Sequence, residues 1–295
     1  MSVVLLIGSN GQLGQELARS LTAIGTVIST TRNELDLTQP DQITTYIETI
    51  KPQIICNAAA YTAVDRAETE PELAQTINAI APKVIAASAA RIGATLIHVS
   101  TDYVFDGVHS IPYQESDREN PLNVYGHSKL EGETWIRQLC DRHLILRTAW
   151  VYGGQGKTNF VKTMLRLGAE REELRIVADQ VGTPTSANSI AQVITQAAQQ
   201  SVFGTYHFTN SGVASWYDFA IAIFEEAQQL GVPLQVNRVT PIESSDYPTA
   251  AKRPAYSVLS SRKLSQAIEF VPIHWRQELR QRLPEFQMIH PGDAR

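Results

Sequence analysis

The chain has 295 residues, 43% of them hydrophobic and 19% charged, with 25 Lys and Arg against 30 Asp and Glu. That balance excludes collagen, coiled coil and disorder, and the length is ample for a large core in one or two domains. A net charge of −5 gives no electrostatic reason to bind nucleic acid or an anionic membrane, so an anionic small molecule must be met by locally placed cations and backbone N–H groups.

The predicted elements alternate from the start. Residues 3–7 form a continuous apolar run, as expected of a strand buried on both faces. Leu13, Leu17 and Leu21 recur at four-residue spacing and mark one face of a helix. Gly25 stops it, and 26–30 is rich in β-formers. Pro40 and Asp41 open a second helix through Ile50, Pro52 breaks the pattern, and 53–56 is the next strand. A third helix is predicted over 71–91 and a further strand over 95–100. Repeated strand–helix units imply parallel strands joined by right-handed crossovers, hence an α/β fold with a doubly wound parallel Rossmann sheet.

After about residue 150 the rhythm changes. Gly153, Gly154 and Gly156 cluster, shorter mixed pieces follow, and Pro233, Pro241, Pro248 and Pro254 punctuate the next stretch. This predicts a smaller, mixed α/β substrate lobe. The dinucleotide-binding domain is expected over 1–149, completed by about 180–215 and 255–275. The lobe then takes 150–179 and 216–254 with the C-terminal tail. No internal repeat is evident.

Two cysteines, Cys56 and Cys140, make no disulfide framework, and Cys56 reads as a small core residue. The seven histidines are scattered singly, and no Cys/His spacing points to zinc. Glu16 alone is too weak a signal for a divalent ion, so no metal is expected. Glu170-Arg171-Glu172-Glu173 reads as a solvated helix end. The apolar run 3–7 is too short for a signal peptide or a membrane span, and a soluble, reducing, cytoplasmic setting is expected.

Gly8-Ser9-Asn10-Gly11-Gln12-Leu13-Gly14 lies between the first strand and the first helix. Glycines there allow the tight turn, let the backbone approach a pyrophosphate, and let helix pack on strand. The helix N-terminus adds unpaired N–H groups and a positive dipole end. In this context the GxxGxxG spacing predicts dinucleotide binding. The end of the second strand reads Thr30-Thr31-Arg32-Asn33, without the carboxylate that would hold a ribose 2′-OH. Arg32 meeting a 2′-phosphate predicts NADPH over NADH, the alternative being a merely solvated arginine.

Tyr125-Gly126-His127-Ser128-Lys129 is preceded by Ser100-Thr101-Asp102-Tyr103 at the end of an apolar strand. Tyr and Lys at i and i+4 share one helical face. A phenol normally titrates at about 10, and a neighbouring ammonium is expected to lower it. Tyr125 then protonates a carbonyl oxygen as hydride arrives at its carbon, with the Thr101 hydroxyl as a second hydrogen bond to the developing oxyanion.

The glycine loop, the strand ending in Ser-Thr and the Tyr/Lys helix, in that order, resemble the extended short-chain dehydrogenase/reductase superfamily. More narrowly, 57–65, 100–107, 121–126, 147–152 and 179–185 resemble the dTDP-4-dehydrorhamnose reductase (RmlD) family, nearly throughout the chain. That resemblance implies reduction of the C4 keto group of dTDP-4-dehydro-L-rhamnose by NAD(P)H. It implies cofactor contacts at Gly11, Gln12 and Leu13, at Asp36 and Leu37, and along Ala58, Ala59, Ala60, Tyr61 and Thr62. It implies Tyr125 as proton donor and Lys129 on the nicotinamide ribose. Thr101, Asp102 and Tyr103 would face the sugar, and Trp150 would lie against it. An indole has an apolar face for a deoxysugar and an N–H for a hydroxyl, although a core or lobe-interface tryptophan fits the same residue.

Tyr256 stands where the family's RPxNSxL segment has Asn. Arg253 remains, to meet a nucleotide-sugar pyrophosphate or to form an interlobe salt bridge. The alternatives are another nucleotide-sugar epimerase or dehydratase, or a non-catalytic subunit resembling the regulatory subunit of methionine adenosyltransferase. Dehydratases place Asp and Glu after the Thr, where this chain has Asp102-Tyr103. Whether the chain forms a homodimer the residues leave open.

Overall fold

The computed structural model of the chain describes residues 2–286; the tail assigned above to the lobe lies outside them beyond Phe286. Strands β1 (Ser2–Ile7), β2 (Gly25–Thr30), β3 (Ile54–Asn57), β4 (Thr95–Thr101) and β5 (His143–Thr148) join a later strand, Gly204–His207, in one six-stranded sheet. Every pairing in it is parallel, in the order β2-β1-β3-β4-β5 and then Gly204–His207.

The apolar run of β1 serves two cores. Val4 and Leu6 pack on one face with Leu13 and Leu17 of α1 (Gln12–Ser20) and with Ile190 and Ile194 of the helix Ala187–Gln199. Leu5 and Ile7 point the other way, into Ile43 and Ile47 of α2 (Pro40–Ile50) and Ile85 and Ala89 of α3 (Ala81–Ile92). Period-two alternation with both faces covered is why β1 is apolar from Val3 to Ile7. Cys56 is fully buried in the first core.

The expected single helix over 71–91 is interrupted. Pro71–Gln75 runs into a π turn, Thr76–Ile80, before α3 begins. Inside that turn Asn78 grips the backbone of Tyr61 from both sides, accepting from its N–H at 2.9 Å and donating to its carbonyl at 3.0 Å. Asn78 also donates to Ser128 Oγ at 3.1 Å, on α4 (Val124–Leu139).

A separate cluster gathers Tyr152, Val161, Met164, Phe219, Ile223 and Trp275. It lies around α5 (Phe160–Glu170) and the helix Trp216–Gln229, beside a parallel pair of strands, Glu173–Val177 and Arg238–Ile242. Glu170, Arg171, Glu172 and Glu173 are all exposed at the end of α5.

Candidate active site

β1 is flanked by β2 on one side and β3 on the other, so the crossovers leave it in opposite directions and open a crevice at the strand C-termini. Gly8 sits there at φ +84°, and a Cβ on it would lie 2.8 Å from the Cβ and N of Ala59. A Cβ on Gly14 would lie 2.1 Å from the Gly8 carbonyl oxygen. Glycine at both positions is what allows α1 to start this close to β1 and β3. The N-cap of α1, Gly11, provides no side-chain cap, and the first turn holds no acidic residue. Its free N–H groups and dipole therefore face the crevice available to an anion.

The other residues expected at a dinucleotide surround this cradle unevenly. Asn10 is exposed, and its carbonyl accepts from Gln15 Nε2 at 3.2 Å. Leu13 and Leu37 are buried side chains. The Gln12 side chain is engaged elsewhere: Nε2 donates to the Val151 carbonyl at 3.1 Å and Oε1 accepts from Asn159 Nδ2 at 3.1 Å. Arg32 is exposed and leans on Asp36 at 3.5 Å, while Asp36 accepts from the N–H and hydroxyl of Thr38, both at 2.9 Å. Ala58, Ala59, Ala60, Tyr61 and Thr62 follow β3 on the far side of Gly8, with the Tyr61 hydroxyl donating to Glu70 at 2.6 Å. An uncapped helix end, a glycine-lined approach and an arginine past β2 fit a phosphorylated dinucleotide.

The second half of the site is assembled at the ends of β4 and β5, where Thr101 pairs with Thr148. Thr101 caps the turn Asp102–Val104: its hydroxyl accepts from the Tyr103 N–H at 3.1 Å and donates to Asp102 Oδ1 at 3.0 Å. α4 starts opposite, capped by Asn123, whose Oδ1 accepts from the Gly126 N–H at 2.8 Å. Such a cap contributes about 0.5–2 kcal/mol. A Cβ on Gly126 would sit 2.3 Å from the Tyr103 carbonyl oxygen, so glycine lets the first turn of α4 press against the 102–104 turn. That approach brings the Tyr125 phenol beside the Thr101 side chain, with the Tyr103 ring edge-on at 5.5 Å.

Burial pushes the Tyr125 phenol up to about 12, against the Thr101 hydrogen bond and with the Asp102 charge adding to it. The expected lowering by Lys129 is not found. Lys129 Nζ lies on the Val99 carbonyl at 2.7 Å and on His98 Nε2 at 3.1 Å, and desolvation of the phenol decides the direction. Lys129 itself is pushed down to about 8 by burial, with Glu133 pulling the other way. Asp102 is pushed up to about 6, also by burial. Its Oδ2 and the Thr148 hydroxyl are buried without a hydrogen-bond partner, two orphaned polar atoms at adjacent strand ends that fit a polar ligand.

Trp150 follows β5 at φ +49°, a left-handed backbone that strains a bulky residue and marks functional sites more often than others. Its ring stacks on Trp216 at 3.5 Å, with the planes 3° apart, and Trp216 Nε1 donates to Gln180 Oε1 at 3.2 Å. Arg253 donates to both oxygens of Asp65, at 3.1 and 2.7 Å, and also bonds the Tyr103 side chain. The ion pair expected of Arg253 is formed, at 2.7 Å. Asn78, His98 and Trp216 carry no signal in the sequence; Asn57 and Ser128 stand within the segments 57–65 and 125–129, but nothing in those segments marks their buried partners.

Residues 1–288 match the family described as RmlD substrate binding domain. The chain is 44% identical over 291 residues to the dTDP-4-dehydrorhamnose reductase of Escherichia coli strain K12, covering 96% of this chain and 97% of that one. The chain belongs to the RmlD substrate binding domain family. A crystal structure of a dTDP-4-dehydrorhamnose reductase from Clostridium acetobutylicum ATCC 824 matches at a TM-score of 0.91 and 41% identity, over 97% of this chain and all (100%) of that one. The enzyme of that name from Bacillus anthracis str. Ames, solved in complex with NADP, matches at 0.90 and 38%, over 96% and 99%. In this RmlD chain no group of three or more His, Cys, Asp or Glu among the described residues could hold a metal. Glu16 is buried and pairs with Arg19 at 3.3 Å. No helix among the described residues is long and apolar enough to cross a membrane.

Proposed function

We propose that the chain reduces the C4 keto group of dTDP-4-dehydro-L-rhamnose to dTDP-L-rhamnose, in dTDP-rhamnose biosynthesis, with NADPH as the preferred donor and NADH as the lesser one. The observation that carries this reading is the approach of the Tyr125 phenol to the Thr101 side chain at the strand ends, beside a cradle that fits a dinucleotide, in a chain whose near full-length relatives bear the reductase name.

When bound, NADPH supplies the hydride. The first-turn N–H groups of α1 would hold its pyrophosphate, the 58–62 segment would line its crevice, and Lys129 would hold the nicotinamide ribose. Tyr125 is the proton donor. A phenol held at about 12 is fully protonated at neutral pH, which suits a group that must give a proton to the oxygen as negative charge develops there. Thr101 turns its single hydroxyl proton from Asp102 Oδ1 to that oxygen as the second hydrogen bond. Asp102 Oδ2 and Thr148 offer their unpartnered atoms to sugar hydroxyls, and the Trp150 indole covers the apolar face of the deoxysugar. Cys56 and Cys140, both buried and unpaired, suit a reducing, cytoplasmic setting.

The test is consumption of NADPH by the purified chain, with dTDP-4-dehydro-L-rhamnose generated in situ from dTDP-glucose. Stoichiometric oxidation that depends on the sugar nucleotide is expected. Turnover of the sugar without net NADPH oxidation would make the chain an epimerase-type enzyme. Tight NADPH binding with no turnover would favour a regulatory subunit. Arg32→Ala is expected to raise KM for NADPH about tenfold while leaving KM for NADH unchanged, because only the former has a phosphate for the guanidinium to meet. Equal effects on both cofactors would remove Arg32 from the reading.

A further inference from the structure

Asn57 ends β3, and His98 lies beside it in register on β4. Both are buried, at 1% exposure each, and so is Lys129. The hydrogen bonds among them fix where the protons are. The Ala59 N–H, which can only donate, reaches Asn57 Oδ1 at 3.1 Å. That orients the amide, and its NH₂ group then faces His98 Nδ1 at 3.2 Å. Nδ1 must accept, so the single proton of the neutral ring sits on Nε2. The ring is held neutral by burial first and by the Lys129 charge second. Nε2 in turn faces Lys129 Nζ at 3.1 Å. An N–H aimed at an ammonium finds no acceptor. Aimed at an amine it finds a lone pair, and the amine still donates to the Val99 carbonyl at 2.7 Å.

We propose that Asn57 and His98 are positioning residues for Lys129: Asn57 locks the imidazole proton onto Nε2, and His98 thereby favours the amine form of Lys129 over the ammonium. Burial acts in the same direction, bringing Lys129 down to about 8. Opposing both is Glu133 on the same helix, itself tied to Arg147 of β5 and to Arg137. Tyr125 and, from the 102–104 turn, Asp102 are the other titratable groups on this side, and their mutual effect falls on the phenol. β3 contributes the neutral Asn57 and the π turn the neutral Asn78.

The catalytic consequence rests on the function proposed above, whereas the hydrogen-bond relay does not. In that reaction the Lys129 ammonium, which would hold the nicotinamide ribose, is lost as pH rises through its titration, giving the rate an alkaline limb. Asn57→Asp tests the relay at nearly constant size. Its carboxylate accepts from both the Ala59 N–H and an imidazole Nδ1–H, which leaves Nε2 as an acceptor for the ammonium.

The full chain, labelled with ¹⁵N-histidine and with ¹³C at lysine Cε, is to be followed by NMR without substrate. In the unaltered protein the His98 proton is expected on Nε2, and in N57D on Nδ1. The Lys129 titration is expected to rise by at least about one pH unit in N57D, a tenfold gain in proton affinity. A proton on Nδ1 in the unaltered protein, or an unmoved Lys129 titration in N57D, overturns the proposal. The alkaline limb of substrate-dependent NADPH oxidation is expected to move with the titration. Should the titration move and the limb stay, the relay stands and the role given to Lys129 in the reaction fails.

Discussion

Tyr125→Phe is expected to lower the kcat of substrate-dependent NADPH oxidation by about 10²–10⁴-fold, with the affinity for NADPH unchanged. The substitution removes one hydroxyl and little volume. What is lost is a proton donor whose bond to the oxygen strengthens only as hydride arrives, so the effect falls on kcat rather than on KM. The Thr101 hydroxyl stays in place, because Asp102 Oδ1 and the Tyr103 N–H hold it independently of the phenol. Residual activity in the variant is therefore Thr101 and positioning acting alone. Steady-state rates with a parallel fluorescence titration of NADPH make the measurement, and a variant within threefold of the parent would remove Tyr125 as the acid.

The second large effect concerns stability. Glu133 and Arg147 are both fully buried, and Arg147 Nε and Nη2 donate to the Glu133 carboxylate at 2.6 to 3.1 Å. Ser100 donates to the same carboxylate at 2.5 Å and Arg137 at 3.0 Å, and Glu119 meets Arg147 at 2.6 Å. Burial alone would raise the Glu133 carboxyl, yet Arg147 and the hydrogen bonds hold it below its ordinary value. Glu133→Ala leaves a guanidinium in the interior with one partly exposed partner, at a cost of about 3–5 kcal/mol. In a chain of this size that is a fall in Tm on the order of 10 °C. Removing both charges with Glu133→Leu and Arg147→Met together is expected to recover most of the loss, since a buried pair is dear to break and cheap to replace. Thermal melts of the single and double variants decide it. A single variant melting with the parent would show that the pair is not what holds β4, β5 and α4 together.

What the sequence disclosed depended on how far apart the partners lie along it. The two-faced burial of β1 is written in five consecutive residues, and the glycine loop in seven. Tyr125 and Lys129 are one helical turn apart, so their common face follows from the helix alone. Asn57 and His98 meet only because β3 and β4 pair in a particular register, 41 residues apart. Trp216 reaches Trp150 from another helix, and Asp65 reaches Arg253 across 188 residues. Arg147 stands in the segment 147–152 with nothing nearby to announce Glu133. The direction of the Tyr125 shift was misjudged for a related reason. Sequence spacing shows which charge is near a phenol, but not how thoroughly folding strips water from it.

The π turn at Thr76–Ile80 constrains the chain in a further way. A π turn holds one residue more than the α-helix around it needs. Deleting that residue would make the helix regular and leave its composition and burial almost unaltered. The flanks would keep their facing, because the wide turn already absorbs the extra residue; what would go is the local bulge from which Asn78 meets both backbone groups of Tyr61. A change of length by one is thus absorbed at this turn, whereas in the regular stretches on either side it would rotate one end against the other by about 100°.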